Sequence, residues 1–90
     1  TEFDVNFNIR YTTKFGQSIC VVGSAPELGE WKDYNHHLRW TDGHVWVTQA
    51  PIRVRSQYFK YKYVLMEHGK CVQWEKGVDR IADLSLLSGD

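Results

Sequence analysis

Residues 2–11 place Phe3, Val5, Phe7, Ile9 and Tyr11 on one side of an extended chain and Glu2, Asp4, Asn6, Asn8 and Arg10 on the other. A period of two suits a strand with one face in a core; a helix needs apolar residues to recur about every 3.6 positions. The same alternation returns over residues 57–66, where Phe59, Tyr61, Tyr63 and Leu65 oppose Tyr58, Lys60, Lys62, Val64 and Met66. No extended stretch of the chain carries a convincing helical period. The architecture is therefore built from strands.

The remaining segments fit that frame. Residues 18–22 form a short apolar run bounded by glycine, the mark of a strand buried on both faces. Residues 23–29 read as a loop, with Leu28 as its plug into the core. A short strand is expected around residues 37–40, and Thr41-Asp42-Gly43 signals a turn. A strand over residues 44–50 stops at Pro51, and Ile52 and Val54 begin another extended piece. Glu67-His68-Gly69-Lys70 is a hairpin connection between the long strand and a return strand over residues 71–75. Residues 80–87 are a last strand, although Leu84, Leu86 and Leu87 also suit a helix. About seven short strands with regular turn signals imply an all-β protein, an antiparallel immunoglobulin-like β-sandwich. Ninety residues make one domain, read as a single module over 1–90. The missing initiator methionine marks it as a mature product or a piece of a larger protein.

Composition removes several function classes. Eleven basic residues balance eleven acidic ones, and they are dispersed, so a nucleic-acid backbone is not the expected partner. No apolar run approaches the roughly 18 residues of a membrane span, and no signal peptide is visible. Cys20 and Cys71 lie far apart, outside any Cys-x-x-Cys motif, and are expected to be free buried thiols. His36 and His37 are adjacent and point to opposite sides of a strand, which makes them surface residues and poor metal ligands. No cofactor and no metal are expected. Catalytic motifs are missing too: there is no Ser/His/Asp order, phosphate-cradling glycine loop or His-Glu-x-x-His, and no carboxylate pair that a cleft would hold.

The chain does carry an aromatic excess: four Trp, five Tyr and four Phe. A pyranose ring has an apolar C–H face and a rim of hydroxyls. An indole stacks on that face at little entropic cost, and the rim wants carboxylate, amide and ammonium partners. The stretch over residues 73–80 brings Trp74 next to Glu75 and close to Asp79. The hairpin through Gly69 sets Lys62 on the neighbouring strand. Trp31, flanked by Glu30, Lys32 and Asp33, reads as exposed, and Trp46, between Val45 and Val47, reads as core. Taken alone, Trp74 is compatible with either place, and Lys62 reads as a solvated strand position.

Val22-Gly23-Ser24, Glu27-Leu28-Gly29 and Trp31, in that order, resemble the N-terminal signature of starch-binding domains, carbohydrate-binding module family 20. Thr41-Asp42-Gly43 with Trp46, Tyr61-Lys62-Tyr63, Trp74-Glu75 and Asp79-Arg80 resemble the rest, so the likeness runs over residues 5–84. It implies a β-sandwich that binds α-1,4-linked glucan without cleaving it. By position, Trp31 and Trp74 would be stacking platforms, and Lys62 and Glu75 would hydrogen-bond sugar hydroxyls. Asp79 stands where the family usually has Asn; an ionised carboxylate accepts but cannot donate. A second site would use Phe15, before the glycine of the first turn, and Trp40. The partners implied are starch, glycogen or maltooligosaccharides, with a catalytic domain covalently attached in the parent chain. The rival readings are an immunoglobulin-like module that meets a protein partner through exposed aromatics and, more remotely, a small enzyme. The carbohydrate reading requires the indoles of Trp31 and Trp74 to be bare, close together and roughly coplanar with one sugar ribbon.

Overall fold

Two long antiparallel neighbours set the frame of the molecule. The computed structural model describes residues 2–87, so position 1 and positions 88–90 of the module expected over 1–90 lie outside the described residues. Within them run β1 (Phe3–Val5), β2 (Asn8–Arg10), β3 (Gln17–Gly23), β4 (His36–His37), β5 (Arg39–Thr41), β6 (Val45–Val47), β7 (Ile52–Val54), β8 (Tyr58–Glu67), β9 (Lys70–Trp74) and β10 (Arg80–Asp83). Two 3₁₀ turns, Pro26–Trp31 and Ser85–Leu87, interrupt them. Every strand pairing is antiparallel.

β8 is the spine. It pairs with β3 in register from Gln17↔Glu67 to Gly23↔Tyr61, and β4 extends that sheet beyond β3. The other edge of β8 is shared: β10 covers residues 58–61 and β9 covers residues 64–67. Between them, beside Lys62 and Tyr63, the chain leaves the sheet as a loop over residues 75–79. β2–β6–β5 and the pair β1–β7 form the remaining sheets.

The expected strands recur, but several are cut where they change partner. The alternating segment at the N-terminus is split at Phe7, because β1 pairs with β7 and β2 with β6. At the switch, Phe7 N–H donates to Thr48 Oγ1 (3.2 Å) and Thr48 N–H donates to Phe7 O (3.0 Å). Pro51 separates β6 from β7 as expected. The last strand ends at Asp83, short of residue 87. The Asp83 carboxylate takes the N–H of Ser85 (3.0 Å) and turns the leucine-rich tail into a single 3₁₀ turn.

Alternation then fills two apolar clusters. The main core holds Phe7, Ile19, Val21, Leu28, Leu38, Trp46, Val54, Phe59 and Tyr63. Trp46 is core, at 6% exposure, and Leu28 is fully buried. Gly23 admits Leu28: a Cβ there would lie 2.5 Å from Lys60 O and 2.8 Å from the Leu28 side chain. The second cluster, Cys20, Val22, Val64 and Met66, lies on the outer face of β3 and β8, with Trp31, Tyr34 and Cys71 packed over it. Both cysteines are free, Cys20 buried and Cys71 half-buried. They stand on β3 and β9 with β8 between them, roughly two strand spacings or about 9.5 Å, too far for a disulfide. Burial pushes the Cys20 thiol up to about 12, with Cys71 adding to the shift.

Candidate functional site

The segment that covers the second cluster has an unusual backbone. With Leu28 pinned in the core, Gly29 (φ 85°), Glu30 (φ 50°) and Trp31 (φ 66°) are all left-handed. Gly29 O then accepts the N–H groups of Lys32 (2.9 Å) and Asp33 (3.1 Å). This sharp bend brings Trp31 over the outer face of the sheet. There it meets Trp74, the last residue of β9, which faces Val64 across the strand pair. The two indole centroids are 6.2 Å apart and the planes are inclined at 42°. Tyr34 stands edge-on to Trp74 at 6.2 Å and 64°. Trp74 is 38% exposed, while Trp31 is half-buried. The expectation of two bare rings is therefore corrected for Trp31. Trp31 rests on the second cluster, and the pair makes a bent platform. Sequence reasoning missed Tyr34; its signal was an aromatic three positions after Trp31 in the same charged loop.

Lys62 and the loop over residues 75–79 are wired together. Lys62 Nζ donates to Glu75 O (2.9 Å) and Gly77 O (2.5 Å), and lies 3.9 Å from the Asp79 carboxylate. Its side chain is only 13% exposed. Two of three ammonium protons are thus committed to the chain. Glu75 leaves the sheet on the other side from Trp74. Its backbone N–H donates to Tyr63 O (3.0 Å) and its Oε1 takes the N–H of Tyr63 (3.3 Å). Oε2 accepts Arg80 Nε at 2.8 Å and pairs with Nη2 at 2.6 Å. Arg80 also lies over the Tyr63 ring, 5.1 Å from its centroid. Burial pushes the Glu75 carboxyl up. Hydrogen bonds from Arg80 and the Tyr63 N–H, together with the charges of Arg80 and Lys62, outweigh it and hold the group below its ordinary value. The structure thus brings Trp31, Trp74, Lys62 and Asp79 to one region and spends most of the Glu75 carboxylate on anchoring the loop.

Phe15 and Trp40 belong to a different part of the surface. Phe15 is fully exposed at the turn before Gly16, and Trp40 is 45% exposed on β5. The Trp40 ring meets His44 edge-on at 5.6 Å. A cavity of about 560 Å³ lies elsewhere, lined by Glu27, Asn35, His36, His37, Gln49 and Arg53 among others. Its polar groups are largely engaged: His36 Nε2 with Glu27 O (2.7 Å), Gln49 with His37 O (2.9 Å), Arg53 with Asp4 (3.0 Å). It offers no indole plane. Among the described residues no three His, Cys, Asp or Glu side chains are grouped to hold a metal ion, and no helix is long and apolar enough to cross a membrane.

Residues 2–86 match the starch binding domain family. The chain belongs to that family. The domain is 34% identical over 86 residues to a glucoamylase of Neurospora crassa and 33% identical over 78 residues to an alpha-amylase of Streptomyces violaceus. These matches cover 84% and 86% of the domain but only 13% and 14% of the relatives, so it spans a small part of their length. In three dimensions it superposes on a glycoside hydrolase family 15 glucoamylase from Hypocrea jecorina with a TM-score of 0.82. That match has 23% identity and covers 93% of the domain and 15% of the enzyme. A gamma-CGTase from an alkalophilic Bacillus clarkii gives a TM-score of 0.79 at 20% identity, over 93% of the domain and 13% of that chain. At those identities the two structures speak for the fold, an antiparallel β-sandwich.

Proposed function

We propose that the domain binds α-1,4-linked glucan without cleaving it, by stacking glucose units on Trp31 and Trp74. The observation that carries this reading is the indole pair, 6.2 Å apart and inclined at 42° over the outer face of the β8 sheet. A bent pair of flat apolar planes suits a chain that curves as it passes from one glucose to the next. Tyr34 packs edge-on against Trp74. Asp79, and the proton of Lys62 left over from the loop, face the hydroxyl rim. Glu75 acts mainly through the loop, by fixing where Trp74 ends and Asp79 begins. Phe15 and Trp40 form a second, smaller contact. The same reading covers starch, glycogen and maltooligosaccharides, which share this linkage. The named relatives are starch-active enzymes many times longer than the domain, which supports an attached catalytic domain. The domain would then hold that enzyme near an insoluble polymer and raise its local substrate concentration.

Trp74→Ala tests the reading. A stacking platform at the centre of a contact is worth about 2 kcal/mol or more, roughly a 30-fold loss of affinity. Because Trp74 lies on the surface at the end of a strand, thermal unfolding should barely move. Retention on amylose resin, competed by maltoheptaose, reads the first quantity, and a melting curve the second. A variant that unfolds early yet binds when folded would make Trp74 a core residue. A wild-type domain that ignores the resin would favour a protein partner instead.

A further inference from the structure

Two hydrogen-bond donors converge on one atom beside the second aromatic site. The backbone N–H of Thr13 and the indole N–H of Trp40 both donate to Nδ1 of His44, each at 3.2 Å. An imidazole nitrogen offers one in-plane lone pair and accepts only while it carries no proton. The pair of donors therefore selects the neutral ring with its proton on Nε2. His44 makes a third tie through its backbone, since its carbonyl takes the N–H of Tyr11 at 2.9 Å. Its ring also stands edge-on to Trp40 at 86°. One residue thus fastens the segment leading to Phe15 at two points and the Trp40 ring at another. The left-handed backbone of His44 (φ 59°), directly after Gly43 (φ 81°), turns the ring back toward β5. Histidine adopts that conformation more readily than most residues with a side chain.

We propose that His44 is the positioning residue of the second glucan contact, and that its protonation releases Thr13 N–H and the Trp40 indole from their shared acceptor, loosening the segments that carry Phe15 and Trp40. The second contact then weakens in acid while the Trp31–Trp74 contact holds. This rests on the two-contact reading above. A proton on Nδ1 turns the shared acceptor into a donor facing two donors, so both hydrogen bonds are lost together. The charged and titratable groups on the surrounding elements are Arg39 and Asp42 on the same hairpin and Arg10 on β2, opposite Val45. On the Phe15 segment they are Tyr11 and Lys14. His68 belongs with them, because its ring lies against Gly16, 3.1 Å from where a Cβ would stand. The His36 ring, in the cavity away from the Trp31–Trp74 pair, meets a carbonyl, Glu27 O.

The test uses the Trp74→Ala domain, which isolates the second contact, titrated with maltoheptaose at about pH 7.5 and about pH 5, the span in which imidazoles change charge. Affinity should fall about tenfold in acid, the effect of losing one or two modest hydrogen bonds. The Trp40 indole proton resonance of the wild-type domain should shift in step with the His44 imidazole. His44→Asn places a non-titrating oxygen where Nδ1 stood and should bind equally at both pH values. His68→Gln should keep the acid weakening. Equal affinity of the Trp74→Ala protein at both pH values, or a fall that survives in His44→Asn, overturns the proposal. So does a Trp40 indole signal that ignores pH, a measurement that needs no variant to fold. No binding by Trp74→Ala at either pH overturns the second contact itself, and the proposal with it, which sets that failure apart from a pH-independent one.

Discussion

At the scale of single residues, the most informative position is Glu30. A residue with a side chain costs roughly 1–2 kcal/mol in the left-handed region, yet Gly29, Glu30 and Trp31 follow one another there. The bend persists because Leu28 is fully buried and Gly29 O collects two N–H groups. Local strain beside a binding platform is a recurring arrangement: surrounding contacts over-determine a conformation that the residues themselves disfavour. The Glu30 side chain is exposed. Glu30→Asn, which tolerates this backbone, should therefore stabilise the domain by about 0.5–1 kcal/mol, a Tm rise of roughly 2–8 °C, with maltoheptaose affinity unchanged. An unaltered melting temperature would mean that Glu30 bears no strain. Neighbouring residues in the sequence do distinguish the tryptophans. Val45 and Val47 announce Trp46 as core, and Glu30, Lys32 and Asp33 announce Trp31 as surface. What they do not announce is how deep Trp31 settles, because that depends on the second cluster beneath it.

At the scale of elements, the loop over residues 75–79 is a strap across the gap between β9 and β10. Glu75 and Lys62 tie it down from opposite faces of the β8 sheet. The electrostatics give a signed prediction. Glu75 titrates below its ordinary value of 4.5 when folded, so the unfolded chain takes up its proton more readily. The stability from its pairing is fully present above pH 4.5 and is lost as the pH falls through the folded value. The melting temperature of the wild-type domain should thus drop more steeply below pH 4.5 than that of Glu75→Gln, and the gap between the two should narrow in acid. Parallel melting curves on both sides of that pH would show that the Arg80 pair adds nothing. The strap also marks a limit of legibility. Period-two patterning assigned the core face of β8 correctly, since face depends only on alternation. It did not reveal the breaks at Phe7 and Leu38, where a strand changes partner, nor whether a carboxylate after Trp74 meets a sugar or its own chain. Both depend on what lies across the sheet.

At the scale of the whole molecule, the two aromatic surfaces ride on different sheets. The first lies over β3, β8 and β9; the second joins the turn before Gly16 to the hairpin of β5 and β6. On the proposed reading, a short oligosaccharide engages one surface at a time. A starch granule or a branched soluble chain presents many equivalent segments, so a domain held by one surface keeps the other at a high effective concentration of ligand, and the combined affinity exceeds either alone by about a hundredfold or more. The two surfaces should therefore separate by the size of the ligand. Trp40→Ala should leave maltoheptaose affinity at the first surface within about twofold of wild type, while binding to soluble starch weakens by about a hundredfold. Trp74→Ala should weaken both. Calorimetry with maltoheptaose beside a depletion assay with soluble starch measures the two numbers on one protein. If Trp40→Ala reduces both ligands by the same factor, the surfaces are not independent and the second is an extension of the first. If it reduces neither, Trp40 makes no contact with glucan, and the domain holds its polymer by the Trp31–Trp74 platform alone.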